Sequence, residues 1–212
     1  MNVLFSRARL GLGSVAALVL LAGCASDPDR YYTLSAPPPA AGLAAPAPAQ
    51  PGLAIEIGPV AVPERLARPQ MVLRRGGADV AQLQVLEQHR WASSFEQELR
   101  DALSAAVAQR LGAADVSRAG RVQGQTVWRA SVQVQAFDAV PAEQVSARLQ
   151  WRLRRPDGSD AGACGWSGSE PVGAQMEAVA QGAQRLTARA AEALAQQIAA
   201  LQGGAALRCQ QG

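Results

Sequence analysis

The 212-residue sequence contains no lysine, one histidine and three cysteines, and only 4% of it is aromatic. Each shortage excludes something. Without lysine every cation is arginine, so neither "GRVQG" (120–124) nor "RRGGAD" (74–79) can be a Walker phosphate loop, and neither has dinucleotide-binding spacing. The lone His89 has no cysteine at metal-ligand spacing, and reads as a packing or surface residue beside a helix start. "GWSGS" (165–169) lacks the last glycine of a nucleophile elbow and is not followed at once by a helix, so it reads as a strand of small residues. No paired carboxylates or triad order stand out, and the expectation is a protein that is not an enzyme. Long hydrophobic runs are missing too. Residues 10–22 form an apolar stretch, shorter than the about 20 residues a spanning helix needs.

That stretch follows Arg7 and Arg9 with no acidic residue, which is the pattern of an export signal rather than a membrane anchor. It ends in Leu21-Ala22-Gly23-Cys24, which resembles a bacterial lipoprotein box. Small residues let the backbone enter a peptidase, and a thiol at the new N-terminus is the nucleophile that takes a diacylglyceryl group. The resemblance implies cleavage after residue 23 and an N-acyl diacylglyceryl lipid on Cys24, with no other cofactor. Three acyl chains, at about 0.8 kcal/mol per buried methylene, make such anchoring effectively permanent. Ala25, a non-aspartate after the lipid cysteine, implies the outer membrane, facing the periplasm.

Removing the signal leaves 189 residues with 18 arginines against 17 acids, a charge of +1 that gives no case for nucleic-acid binding. That length suits one domain with a real core. Cys164 and Cys209 remain after Cys24 is used for lipid, and two thiols in an oxidising compartment suggest a disulfide, with two separate buried thiols as the alternative.

Residues 24–52 read as a lipidated N-terminus and linker, Pro- and Ala-rich over 35–52 and reaching on the order of 50 Å if extended. Tyr31–Leu34 is oddly aromatic for a tether. The domain is expected over 53–212. "LAIEIGPVAVP" alternates Leu53, Ile55 and Ile57 against Ala54, Glu56 and Gly58, and "QMVLRR" and "VAQLQVLE" flank Gly76-Gly77 as a hairpin. A helix follows, with Ser93 and Glu96 at capping-box spacing and a stripe of Phe95, Leu99, Ala102, Leu103, Ala106, Val107 and Leu111, stopped by Gly112. Trp128, Ala130, Val132, Val134 and Ala136 alternate with polar residues. So do Val145, Ala147, Leu149, Trp151 and Leu153, whose outward neighbours include Arg148, Arg152 and Arg154. That arginine face suits an acidic partner, lipid headgroups or plain solvent. "RPDG" (155–158) turns the chain into a return strand, and a helical stripe runs from Met176 through Leu186, Leu194 and Ile198 to Leu201. Strands grouped between two helices predict an α+β fold, a mainly antiparallel sheet with two long amphipathic helices on one face.

Tyr31-Tyr32-Thr33-Leu34, then "IEIGPVAVPERLARPQMVLR" from Ile55 to Arg74, then His89-Arg90-Trp91-Ala92 leading into the helix together resemble the ABC-type transport auxiliary lipoproteins, the PqiC-like group. The likeness covers most of the mature chain, and "GPVxVPxxLxRPQMV" is its specific part. The Cys164/Cys209 pair is not part of that pattern. The resemblance implies an outer-membrane lipoprotein that partners an MCE-domain protein and associated inner-membrane transporter components. It would dock a periplasmic conduit for lipids and support envelope integrity. A homo-oligomer is compatible with that role. Two other classes remain open: a periplasmic lipid-binding carrier, and a cell-wall or secretin assembly lipoprotein.

Within the resembling stretch, Pro63 and Pro69 suit exposed or edge backbone, and Met71 and Val72 sit among Arg65, Arg68, Arg74 and Arg75. An apolar edge rimmed by arginine is a candidate partner-binding site made of Arg65, Arg68, Met71 and Arg74. The alternative is an ordinary strand with charged flanks.

Overall fold

The computed structural model describes residues 28–35, 48–76, 81–118, 120 and 123–209. Cys24 and the signal segment lie outside the described residues, as do Gly77 in the hairpin turn and residues 36–47 of the Pro/Ala-rich stretch.

The strongest sequence pattern builds the centre of the fold. β6 (Thr126–Val140), β7 (Gln144–Arg154) and β8 (Asp160–Pro171) form an antiparallel meander. Every inward residue expected on β7 is buried, from Val145 to Leu153. β6 keeps strict alternation only to Val134. A bulge at Gln135 shifts the register, so Ala136 is half-buried and Phe137 and Ala139 take the core positions. The bulge turns the end of β6 so that Phe137 meets Phe95 edge-on, with ring centroids 4.9 Å apart.

β2 (Leu53–Ile57) joins this sheet on the free side of β6, and β5 (Ala114–Asp115) joins β2, giving the order β5-β2-β6-β7-β8. Both added pairings are parallel, so the sheet is mixed rather than antiparallel throughout. A parallel neighbour needs a crossover, which contains α1 (Phe95–Leu111). The α1 stripe is buried as expected except for half-buried Ala106. Gly112 closes the helix in the left-handed region (φ 61°), its amide reaching the carbonyls of Ala108 and Gln109. The N-terminus differs from the capping-box reading. The N-cap is Ser94, without a side-chain cap, and the hydroxyl of Ser93 donates instead to Glu98, at 3.0 Å.

α2 (Met176–Gln202) lies against β6–β8 and α1, so both helices cover one face of the five-stranded sheet. Its core stripe is fully buried from Val179 to Leu201, and Met176 is half-buried. Gly182 lets Val172 lie against the helix, since a Cβ there would fall 2.2 Å from Val172 Cγ1. A buried polar tie crosses this interface, with Trp151 Nε1 donating to Gln197 Oε1 at 2.7 Å. Cys164 on β8 is bonded to Cys209 beyond α2, with Cα atoms 5.2 Å apart, so the disulfide fixes the C-terminal tail to the edge strand.

A second sheet was not expected. β3 (Gln70–Arg74) and β4 (Leu83–Trp91) pair antiparallel as the predicted hairpin, and β1 (Arg30–Tyr32) pairs parallel with the end of β4. The folded domain therefore begins near residue 30 rather than at 53. Leu34 is 1% exposed and belongs to the main core. Much of the Pro/Ala-rich stretch is thus a connection from β1 to β2, not a spacer in front of the domain.

Candidate functional site

The segment that follows the lipoprotein-type cysteine is held from several sides. Tyr32 accepts from the Ala92 amide at 2.7 Å, extending the β1–β4 pairing. The buried carboxylate of Glu98, one turn into α1, receives the Thr33 hydroxyl at 2.7 Å and the Leu34 amide at 2.9 Å on one oxygen. Ser93 occupies its other oxygen. Gln184 of α2 donates to the Thr33 carbonyl at 2.9 Å. Each of these three donors would be left without its buried acceptor if the carboxylate were removed. Glu98 thus ties β1 to the helix core.

At the outer end of β1, Arg30 forms an ion pair with Glu177 in the first turn of α2 at 2.9 Å. The Tyr32 hydroxyl lies 2.9 Å from His89 Nδ1 and donates to Glu177 at 3.4 Å, its ring stacked on that of His89. Burial, then the Glu177 carboxylate, push the Tyr32 phenol above its ordinary range. The backbone N–H of Glu177 at the helix start, then Arg30, hold the Glu177 carboxyl below its usual range. His89 is therefore a packing and hydrogen-bonding residue at the β1 junction.

The arginine-rich segment folds differently from an apolar edge with a charged rim. Pro63 leads into a 3-10 turn (Glu64–Leu66) that sends Leu66 into the core, and Met71 is buried at 2% exposure. Met71 therefore faces the interior and is not presented to a partner in this arrangement. Arg74 places Nε at 3.2 Å and Nη2 at 2.8 Å from Oδ1 of Asp138, and Arg65 reaches the same oxygen at 3.4 Å. Arg74 ties the small sheet, and Arg65 the 3-10 turn before it, to the end of β6. Arg68 stands apart. Its Nε is buried without a hydrogen-bond partner among the described residues. Sequence reasoning missed Glu98 and Asp138, because nothing local marks either carboxylate and their partners lie about 60 to 70 residues away.

The polar face of the five-stranded sheet is exposed at Gln133, Arg148, Gln150 and Arg152. Arg152 is paired with Asp160, and Arg154 donates to the Gly158 carbonyl at 3.5 Å. An open groove of about 490 Å³ crosses this face past Arg148 and Arg189. Between the sheets an apolar cavity lined by Leu66, Met71, Trp91, Phe95 and Phe137 has a volume of about 20 Å³, room for one water and far too little for an acyl chain. Among the described residues no group of three His, Cys, Asp or Glu is placed to hold a metal ion, and no helix is long and apolar enough to cross a membrane.

Two solved structures share the fold. One, of an uncharacterized protein, is 20% identical, with a TM-score of 0.62 over 81% of this chain and 99% of its own. The other, from Xanthomonas campestris and assigned to the DUF330 family, is 16% identical, with a TM-score of 0.57 over 75% of this chain and 92% of its own. No curated protein matches the sequence. The family described as ABC-type transport auxiliary lipoprotein component matches residues 32–199, a span that opens inside β1 and closes in the last turn of α2. Over that span the anchored β1, the two sheets and both helices are accounted for together, and the chain belongs to the ABC-type transport auxiliary lipoprotein family.

Proposed function

We propose that this chain is the non-catalytic docking subunit of an intermembrane lipid transport system, held by an acylated Cys24 in the outer membrane and facing the periplasm. Its partner is an MCE-domain protein with associated inner-membrane transporter components. The observation that carries this reading is the attachment of β1 within the family-matched span. A segment only six residues beyond Cys24 is built into the core through Leu34 and Glu98. A lipid anchor there holds a rigid body rather than a loose domain, which suits a fixed receptor for the end of a conduit. The small cavity between the sheets weighs against a carrier that encloses its own lipid.

For the partner-binding surface, the proposal centres on Arg68. It stands between the exposed Ala67 and Pro69, and its Nε is the donor of this segment that lacks an acceptor within the described chain. A partner would approach through these exposed flanks, where the arginine's positive charge favours a carbonyl or carboxylate. Arg65 and Arg74, through Asp138, and the buried Met71 hold the same segment to the domain.

The test is a mild-detergent pull-down of tagged full-length protein from membranes, with co-purifying proteins identified by mass spectrometry. An MCE-domain protein in the eluate supports the docking role. Cell-wall or secretin components in its place contradict it.

A further inference from the structure

The position of β1 limits how far the domain can stand from its anchor. Five residues, 25–29, separate Cys24 from Arg30, and a span of six Cα steps reaches at most about 20 Å. The Pro/Ala-rich stretch cannot add to this reach, because it follows β1 and leads to β2. Direction is set as well. β1 runs parallel to β4 with Arg30 opposite His89, so the chain in front of Arg30 departs toward the start of β4. From His89 back to Leu83 is also six steps. The anchor therefore lies within one β4 length of the small sheet.

The surface at that place has a distinct composition. Three large hydrophobic side chains are exposed among the described residues: Tyr31 at 63%, Leu83 at 38% and Val85 at 36%. All three belong to the small sheet. Val72 is half-buried and directly opposite Val85 in the β3–β4 register. Leu83 and Val85 share one face of β4, and residues 83–88 have no β1 partner on that strand's far edge. An aromatic ring with a polar tip near one end of β4 and aliphatic side chains near the other give the small sheet the chemistry of the membrane interface, where apolar groups sink toward the acyl boundary and a phenol stays among headgroups.

We infer that Tyr31, Leu83 and Val85 form a membrane-resting surface that seats the small sheet on the same bilayer that carries the anchor. This inference rests on the reading that Cys24 is acylated. It goes further by fixing the orientation: the small sheet lies at the lipid, and the β7–β8 turn at residues 155–158 points away. That turn is at the far end of β7 from the Pro141–Glu143 turn, beside which Gly76 of the hairpin turn sits. The occupant is a lipid surface rather than a protein because the short tether brings that surface within reach of the patch whatever else is bound.

The experiment uses full-length acylated protein extracted from membranes and reconstituted into vesicles of phosphatidylethanolamine and phosphatidylglycerol with acyl-chain-brominated lipid. Bromine quenches tryptophan only at short range. The four native tryptophans are all buried, at 1% to 5% exposure, and form a quiet background. Val85→Trp and Tyr31→Trp each add a reporter on the patch, and Asp157→Trp adds one at the opposite end. The expected result is at least about a twofold loss of added emission for Val85→Trp and Tyr31→Trp, with none for Asp157→Trp. Vesicle flotation separates the two ideas. Protein that fails to float lacks a working anchor, and both the anchoring and the seating fall. Protein that floats with all three reporters equally quenched, or all unquenched, keeps its anchor and overturns the seating alone. Reporters that become shielded without bromine quenching show the patch covered by protein, and that overturns it too.

Discussion

The backbone amide of Leu34 and the carboxylate of Glu98, 64 positions apart, meet at 2.9 Å in the interior, and through this contact the residues next to the anchor become part of the core. Replacing Glu98 with alanine leaves Leu34 N–H, Thr33 and Ser93 without their acceptor. Losing buried partners of this kind costs about 1–3 kcal/mol. Urea unfolding is expected to show that loss, and hydrogen exchange is expected to show the Leu34 amide opening before the amides of β6 and β7. A Glu98→Ala protein with unchanged exchange at Leu34 contradicts the tie.

The Arg74–Asp138 pair is expected to be structural. Arg74→Ala and Asp138→Ala each remove the link between the small sheet and β6. The half-buried geometry, with two guanidinium donors on one oxygen, puts the coupling in a double-mutant cycle at about 1 kcal/mol. Arg68→Ala should leave the melting temperature unchanged and weaken capture of the partner. If Arg68→Ala and Arg74→Ala affect stability and capture alike, the division between them is wrong.

The disulfide closes a long loop, with 45 positions between Cys164 and Cys209. Chain entropy gives about 4 kcal/mol as an upper expectation for its loss. A Cys164→Ser/Cys209→Ser double variant should melt at a lower temperature than the oxidised parent and match the parent under reducing conditions. Identical melting of oxidised parent and variant removes this contribution.

Glu170 sits between Arg189 at 2.9 Å and Arg185 at 3.2 Å. The hydrogen bond from Arg189, then that from Arg185, hold its carboxyl below the usual range. A carboxyl with a lower folded than unfolded pKa stabilises the protein above the unfolded value, near 4.3, and loses that stabilisation as pH falls through the depressed folded value. Glu170→Gln is expected to cost about 1 kcal/mol at neutral pH and to flatten the fall in stability below about pH 4.5. Stability curves with the same acid slope in parent and variant contradict that assignment.

The parts of this fold that were legible in the sequence are those decided by local periodicity. On β7 the inward residues from Val145 to Leu153 were readable because period-two alternation runs unbroken, and α2 was readable because its stripe runs from Val179 to Leu201. Counting cysteines was enough to raise the Cys164–Cys209 bond as an expectation. Features that depend on distant partners were not visible. β1 has three residues, too few for any periodicity, and became a strand only because β4 and Glu98 receive it. The parallel pairing of β2 with β6 depends on the crossover between them, and the bulge at Gln135 depends on Phe137 finding Phe95. The candidate site was half legible for the same reason. The arginines of the 63–75 segment stood out as a cluster, but Asp138, which engages two of them, lies on another sheet.

The most direct test of the docking role is photo-crosslinking in living cells, with a crosslinking amino acid at Ala67, beside Arg68, in the full-length protein. The account predicts a crosslink to an MCE-domain protein that disappears when Cys24→Ala removes the anchor. A crosslink to cell-wall or secretin components, or one to the MCE-domain protein that persists without the anchor, contradicts it.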